Sequence, residues 1–344
     1  MPIEAKTPAD PDAGTDSRPL GLTLLAGAVA AVVALPLTWL VVMAVGIDPN
    51  SAIETLLRPK TLQVVVNSVL MVVLVTGFSV LLGVPLAYLT ARTDLPFSRF
   101  WTVAVSMPLV IPSYIGAFAF VSAFGPNGEL QSLLAPVGIE SIPSVYGLEG
   151  TVLVITLYTY PYVYLSTRAS LQTMDERLLD AARMLNHSRR QAFRRVVLPQ
   201  VAPAVTAGSL LVSLYALSDF GTPAIMRYDV FTRVIFVNRF ELDFAALLSL
   251  QLVVATLFIL AIESRVRGRE VRSGGGGRRD DRFALGVWKW PATGACGSLV
   301  ALALVVPIGI LGLWLMRAEP SGNSGGFSLA FVFNSVGVSA AAAL

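Results

Sequence analysis

The residues whose types and spacing could do chemistry cluster at positions 168–199. Thr173-Met174-Asp175-Glu176 has the form of a capping box, and Leu178, Ala182 and Leu185 follow it at helical spacing. Asn186 interrupts that face where a left-handed residue would end a helix. Ser188-Arg189-Arg190-Gln191 offers a second capping box, and Ala192, Phe193, Val196 and Val197 form a second apolar face before Pro199 opens the next span. The expected product is two short helices bent around Asn186. Such a pair docks rather than makes bonds. It could lie on anionic lipid with Arg183, Arg189, Arg190, Arg194 and Arg195 among the headgroups, or form a rigid knob that seats in a partner protein.

Covalent chemistry has little to work with. The 344 residues include one histidine, His187, and one cysteine, Cys296, which allow neither a His-based metal cluster nor an intrachain disulfide. No catalytic residue and no metal ligand is expected. The phosphate-cradling pattern GxxxxGK[ST] does not occur, so any ATP-driven step must be carried out by another chain. His187 reads as a solvated residue in the bend and Cys296 as a small packing residue.

The elements that position this loop are set by lipid. Hydrophobic residues make up 55% of the chain, charged residues only 14%, and the mean hydropathy is +0.70. An ordinary soluble domain carries about 25% charged residues, so a soluble enzyme, a disordered chain and a disulfide-stapled module are all excluded. Crossing the hydrocarbon takes about 20 apolar residues. Runs of that kind occupy 20–47, 61–91, 100–128, 150–167, 196–218, 244–262, 290–316 and 328–344, the third being interrupted by Pro108, Pro112 and Gly125-Pro126-Asn127-Gly128. The first is too long for a signal-peptide core and follows an acidic segment, so it reads as a retained anchor.

With the amino terminus and every second loop taken as one side, that side holds nineteen of the 25 Lys and Arg. Only Arg58, Lys60, Arg227, Arg233, Arg239 and Arg317 fall on the other. The positive-inside rule then predicts a multi-pass protein of the cell membrane with a cytoplasmic amino terminus. It also removes the nucleic-acid reading of a pI near 9.1, because the arginines border spans rather than a folded basic surface.

Residues 265–289 are rich in Arg and contain Gly274-Gly275-Gly276-Gly277, the composition of a linker. Beyond it the beginning of the chain is echoed. Pro307 and Trp314 stand in the next span as Pro36 and Trp39 stand in the first, and Phe331-Val332-Phe333-Asn334-Ser335-Val336 repeats Val64-Val65-Val66-Asn67-Ser68-Val69. The expected organisation is a tail (1–19), a six-span half (20–264) with the loop 168–199, a linker (265–289) and the start of an incomplete second half (290–344).

Asp180-Ala181-Ala182, Asn186, Val196, Leu198 and Pro199 match the spacing of the EAA loop of binding-protein-dependent ABC importer permeases: Glu-Ala-Ala, three residues, Gly, nine residues, Ile, one residue, Leu-Pro. The departures are Asp180 for Glu, Asn186 for Gly and Val196 for Ile. Asn tolerates the left-handed conformation of Gly, and Asp keeps the carboxylate on a shorter arm. Met107-Pro108-Leu109-Val110-Ile111-Pro112-Ser113-Tyr114, Ser218-Asp219-Phe220-Gly221-Thr222-Pro223 and Glu263-Ser264-Arg265-Val266-Arg267-Gly268-Arg269 resemble the third, fifth and sixth spans of the ferric-iron-type permeases. That family has two fused six-span halves, each with its own EAA loop.

The resemblance implies an all-α fold, a polytopic transmembrane helix bundle of the MetI-like type. It implies a transport component with no cofactor of its own, ATP and magnesium being used by a pair of cytoplasmic ABC ATPase subunits. An external substrate-binding protein would deliver cargo, ferric iron first, with thiamine, sulfate or polyamine as alternatives. Leu178, Asp180, Ala181, Ala182, Leu185, Asn186, Phe193, Val196, Leu198 and Pro199 are then the ATPase-coupling residues.

Pro108, Pro112, Tyr160, Pro161 and Asp219 are the candidates for the translocation path, since prolines free backbone carbonyls where helices line a cavity. The run Tyr158, Tyr160, Tyr162, Tyr164 fits either a polar path or an interfacial belt. Asp219 could meet a cation or cap the turn that follows it. Gly77, Ser79 and Gly83 would permit close helix packing. A secondary transporter would need ionisable residues at mid-membrane, and a membrane enzyme His, Cys or paired carboxylates; the spans offer none of these.

Overall fold

A computed structural model describes residues 20–126, 128–135, 144–174, 191, 195, 197–267, 283–317 and 329–343. Among the described residues the chain is helical apart from turns and a single parallel bridge. In order, the helices are α1 (Leu20–Val45), α2 (Pro49–Leu57), α3 (Pro59–Arg92), α4 (Ser98–Ser106), α5 (Ser113–Phe124), α6 (Glu129–Leu134) and α7 (Leu148–Thr173). They continue as α8 (Leu198–Ser218), α9 (Gly221–Ile225), α10 (Phe231–Val237), α11 (Leu242–Arg267), α12 (Lys289–Val300), α13 (Val306–Arg317) and α14 (Leu329–Ala343).

Among the described residues five helical stretches are long and apolar enough to cross a membrane: Thr23–Val45, Pro59–Arg92, Leu198–Ser218, Leu242–Ile262 and Gly286–Arg317. A sixth is broken. A 3-10 turn at Met107–Val110 ends α4, and α5 leaves at 93° to it after Pro112. Proline has no N–H to continue a helix, so Pro108 and Pro112 place the bend. Gly286–Arg317 changes pitch without breaking, through a π turn at Ala301–Val305 just before Pro307.

The helix at the centre of the bundle is α7, and it falls outside those five. It packs against α3, α4, α5 and α8 and buries Ile155, Leu157, Tyr160, Val163 and Tyr164. A helix largely enclosed by other helices has little surface for lipid, so it can carry Thr and Tyr where their hydroxyls find partners. Three of its tyrosines do, whereas the buried hydroxyls of Thr156 and Thr167 have none. The Tyr160 hydroxyl donates to the Val105 carbonyl at 2.6 Å, and Tyr164 and Thr90 share a hydrogen bond of 3.0 Å. The Tyr158 hydroxyl donates to the Ala303 carbonyl at 3.2 Å. Pro307, four residues on, has no N–H to give that carbonyl.

The close packing rests on particular positions. A Cβ at Gly83 of α3 would stand 2.9 Å from the backbone nitrogen of Tyr164, whereas Gly77 has nothing within 4 Å. Ser79 is buried and shares a 3.3 Å hydrogen bond with Thr159. At Gly116 of α5 the Tyr158 ring occupies the space a side chain would need.

The outer helices differ sharply. The α1 helix packs on α11 and is otherwise exposed, as is α14. By contrast α12 and α13 lie against α4 and α5, with Trp314 edge-on to Phe118 at 5.3 Å. The repeated Asn-Ser has a visible role in the first copy. Asn67 donates to the Asp229 carbonyl at 2.9 Å, and the Ser68 hydroxyl accepts the Phe231 N–H at 3.0 Å, pinning the loop before α10 onto α3. Asn334 and Ser335, their counterparts in α14, are exposed.

Candidate translocation path and coupling end

The segments that flank the expected coupling loop meet at one end of the bundle. Leu178, Asp180, Ala181, Ala182, Leu185, Asn186, Phe193 and Val196 lie outside the described residues. Leu198 and Pro199 are described: they form the exposed first turn of α8, with Pro199 where a missing N–H costs nothing. Beneath them Leu171, Met174, Val197 and Val201 form one apolar core with Tyr164. The chain therefore leaves the bundle and returns to it at adjacent points. Thr173 differs from its expected part as a helix N-cap. It is the last residue of α7, its hydroxyl donating back to the Ala169 and Ser170 carbonyls, and Met174 takes the extended conformation instead. A helix already propagating from α7 satisfies the Thr173 hydroxyl sooner than a new one can.

Arg92, the last residue of α3, reaches this point. Its guanidinium donates to the Leu171 carbonyl at 2.6 Å and the Met174 carbonyl at 3.3 Å, acceptors that the end of α7 leaves open. Two residues on, Asp94 accepts the Leu285 N–H at 2.8 Å and pairs with Lys289 at 2.8 Å. The Leu285 N–H, and after it Lys289, hold the Asp94 carboxyl below the usual carboxylate range.

The residues expected along the path are distributed differently. Tyr160, Pro161 and Pro108 are buried in packed core, while Pro112 is exposed at the start of α5. Asp219 ends α8 and is half-buried: one carboxylate oxygen accepts the Gly221 N–H at 3.0 Å and the Thr222 N–H at 3.4 Å, the other the Ser113 hydroxyl at 2.9 Å. The Tyr215 hydroxyl donates to Ser113 Oγ at 3.0 Å, completing a chain from α8 through α5 and back.

An open cavity of about 440 Å³ lies between α7, α8 and α11. Leu211, Leu214 and Leu252 make most of its wall, and Tyr162, Tyr215, Ser218 and Thr256 add hydroxyls. The Tyr162 and Tyr215 ring centroids are 6.3 Å apart. Of the tyrosine run, Tyr162 alone lines this cavity among the described residues. Its wall carries no charge, so it offers a solute apolar contact and hydroxyls but no ion-pairing group. Among the described residues no group of three His, Cys, Asp or Glu could hold a metal ion. Tyr215 and Thr256 escaped the sequence reading because they join Tyr162 only when three separate helices pack. A period of one helix could have put Tyr215 on the same face as Leu211, and nothing more.

At the opposite end from Arg92, a second hollow of about 370 Å³ is lined by Phe118, Ser122, Tyr146, Ile225 and Arg227. Arg227 has a left-handed backbone, φ 55°, and its guanidinium lies over the Tyr146 ring, 4.7 Å from the centroid.

Comparison with known proteins agrees with this architecture. An iron permease of Haemophilus influenzae, "Fe(3+)-transport system permease protein FbpB 2", is 30% identical over 318 residues, 90% of this chain and 59% of its own length. The spermidine/putrescine permease PotB of the same organism is 32% identical over 48% of this chain and 58% of its own. The molybdenum permease ModB of Mycobacterium tuberculosis is 31% identical over 68% and 89%. The chain thus spans about 60% of the length of the first of these curated relatives. A bacterial alginate ABC transporter crystallised with a pentasaccharide-bound periplasmic protein shares the fold, with a TM-score of 0.55 at 16% identity over 74% of this chain and 96% of its own. Residues 79–266, which hold the central helix, the cavity and both flanks of the coupling loop, match the family of binding-protein-dependent transport system inner membrane components, and the chain belongs to that family.

Proposed function

We propose that this chain lines the translocation pathway of an ABC importer. In this reading an external binding protein delivers the cargo and ATP, with magnesium, is hydrolysed by a pair of cytoplasmic ATPase subunits. The observation that carries it is the meeting of Met174 and Val197 in one core within the matched region. A push on the loop between them acts at once on α7 and α8, two of the three helices around the 440 Å³ cavity. ATP-driven closure of the partner would move that loop, tilt α8 against α7 and open the cavity alternately to either face.

Leu178, Ala181, Ala182, Leu185 and Phe193 would fill an apolar cleft in the ATPase, with Asp180 setting orientation and Asn186 the bend. The Arg distribution supports a cytoplasmic position for this end and for the amino terminus. Ferric iron is the first cargo to test, supported by the 30% identity to an iron permease over most of this chain. Polyamine, sulfate and thiamine are the alternatives; spermidine/putrescine and sulfate permeases are also among the relatives.

The deciding experiment is uptake into proteoliposomes containing the permease and its ATPase, with loaded binding protein outside and ATP inside. ATP-dependent accumulation of ⁵⁵Fe supports the reading, and competition by spermidine, sulfate or thiamine reassigns the cargo. Uptake driven by an ion gradient without ATP would mean a secondary transporter.

A further inference from the structure

Three consecutive residues, Arg92, Thr93 and Asp94, stand between the end of α7 and the segment that leads into α12. On one side the Arg92 guanidinium holds the Leu171 and Met174 carbonyls, where α7 gives way to the coupling loop. On the other, the backbone of the same residues is bonded to the segment that leads into α12. Phe283 N–H donates to the Arg92 carbonyl at 2.8 Å and Asp94 N–H to the Phe283 carbonyl at 3.1 Å. The Asp94 carboxylate then takes the Leu285 N–H and the Lys289 ammonium, in the first turn of α12. Thr93 between them is 1% exposed, and its hydroxyl donates to the Leu89 carbonyl at 2.6 Å, so the turn is anchored to α3 as well.

We propose that Arg92-Thr93-Asp94 is a positioning element that makes the start of the coupling loop and the first span beyond the linker move as one body. This rests on the coupling role proposed for residues 174–197. Because each of the three residues is held by a charge-assisted bond, a backbone bridge or burial, displacement of Met174 is passed to Lys289 rather than absorbed by a side-chain rotation. One docking event then moves helices on both sides of the linker. Arg92 suits this use: both bonds leave one terminal nitrogen, whose two N–H groups are fixed in the guanidinium plane, whereas an ammonium on a flexible stem is less rigidly directed.

The test compares Arg92→Met, Arg92→Lys and Asp94→Asn in the permease assembled with its ATPase. Asp94 is partly exposed, and Asp94→Asn keeps its shape, so folding is preserved in at least that variant. The expected result is ATPase co-purification within twofold of wild type, with substrate moved per ATP hydrolysed reduced at least fivefold in Arg92→Met and Asp94→Asn and less in Arg92→Lys. Unchanged transport per ATP in both Arg92→Met and Asp94→Asn would overturn the proposal.

Hydrogen exchange provides an arm that needs no transport. Asp94→Asn should raise exchange at 283–289 and also at 170–174, and a rise confined to 283–289 would refute the shared movement. If the wild-type assembly shows no ATP-dependent uptake, the importer reading fails, while the exchange measurement still decides whether the two segments are tied.

Discussion

The Tyr158 hydroxyl donates a 3.2 Å hydrogen bond to the Ala303 carbonyl, across 145 residues of sequence. It joins the central helix to a span beyond the linker at the point where Pro307 withholds a backbone donor. Tyr158→Phe removes the donor and keeps the ring, leaving a buried carbonyl short of a partner. A destabilisation of about 1 kcal/mol is expected. It would be read as a lower unfolding temperature in detergent; an unchanged midpoint would mean the bond contributes nothing.

Gly116 and Gly77 give opposite expectations for the same substitution. A Cβ at Gly116 would collide with the Tyr158 ring, while Gly77 has open space. Gly116→Ala should cost about 1–3 kcal/mol through overpacking or displace the Tyr158 ring, whereas Gly77→Ala should be neutral or slightly stabilising within its helix. Fluorescence-detected size exclusion of the two variants, heated in parallel, separates the outcomes.

The Asp94 latch has a defined response to pH. Its carboxyl is held below the ordinary value of 3.8 by the Leu285 N–H and then by Lys289, so the latch stabilises the fold fully above pH 3.8. That contribution is lost as the pH falls through the lowered value. Protease protection of residues 283–289 should be flat from pH 8 to 5 in wild type and fall only in stronger acid. Asp94→Asn should show weaker protection at pH 7 and lose the acid step.

In the coupling loop, Ala182→Asp would put a charge on the face proposed to enter the ATPase cleft. Membrane insertion should be normal, with ATPase co-purification and transport reduced more than tenfold. Deletion of residues 180–186 should do the same, and normal co-purification after that deletion would remove the coupling assignment.

The cavity can be tested by filling it. Leu211 lies on its wall and half of its surface is exposed, so Leu211→Trp adds bulk without disturbing the packed side of α8. Transport should fall at least tenfold while assembly and basal ATPase activity hold. Equal transport would place the path elsewhere.

How much was legible in the sequence follows from which solvent each residue meets. The ends of α1, α3, α8 and α11 lie within a few residues of those read from hydropathy, because a helix facing lipid must be apolar along its whole crossing. The break at Pro108 and Pro112 was legible for a local reason, the missing N–H. The segment proposed to dock stood out because its spacing, from Asp180 to Pro199, is a pattern in one dimension.

The tertiary structure alone decided which helix is central. With four tyrosines at alternate positions and several threonines, α7 has the look of the least apolar crossing, yet it is the most buried of them. The hydroxyls of Tyr164, Tyr160 and Tyr158 are satisfied by Thr90, Val105 and Ala303, residues that lie 74, 55 and 145 positions away and become neighbours only on packing. Likewise Gly83 meets α7 and Gly77 meets nothing, although both stand in the same apolar run. Hydropathy determined where this chain has spans apolar enough to cross a membrane, and motif spacing marked the segment proposed to couple to an ATPase. Which polar groups are buried, and against what, was decided by three-dimensional pairing, since a hydrogen bond depends on where its partner sits and not on the residue's own preference for lipid or water.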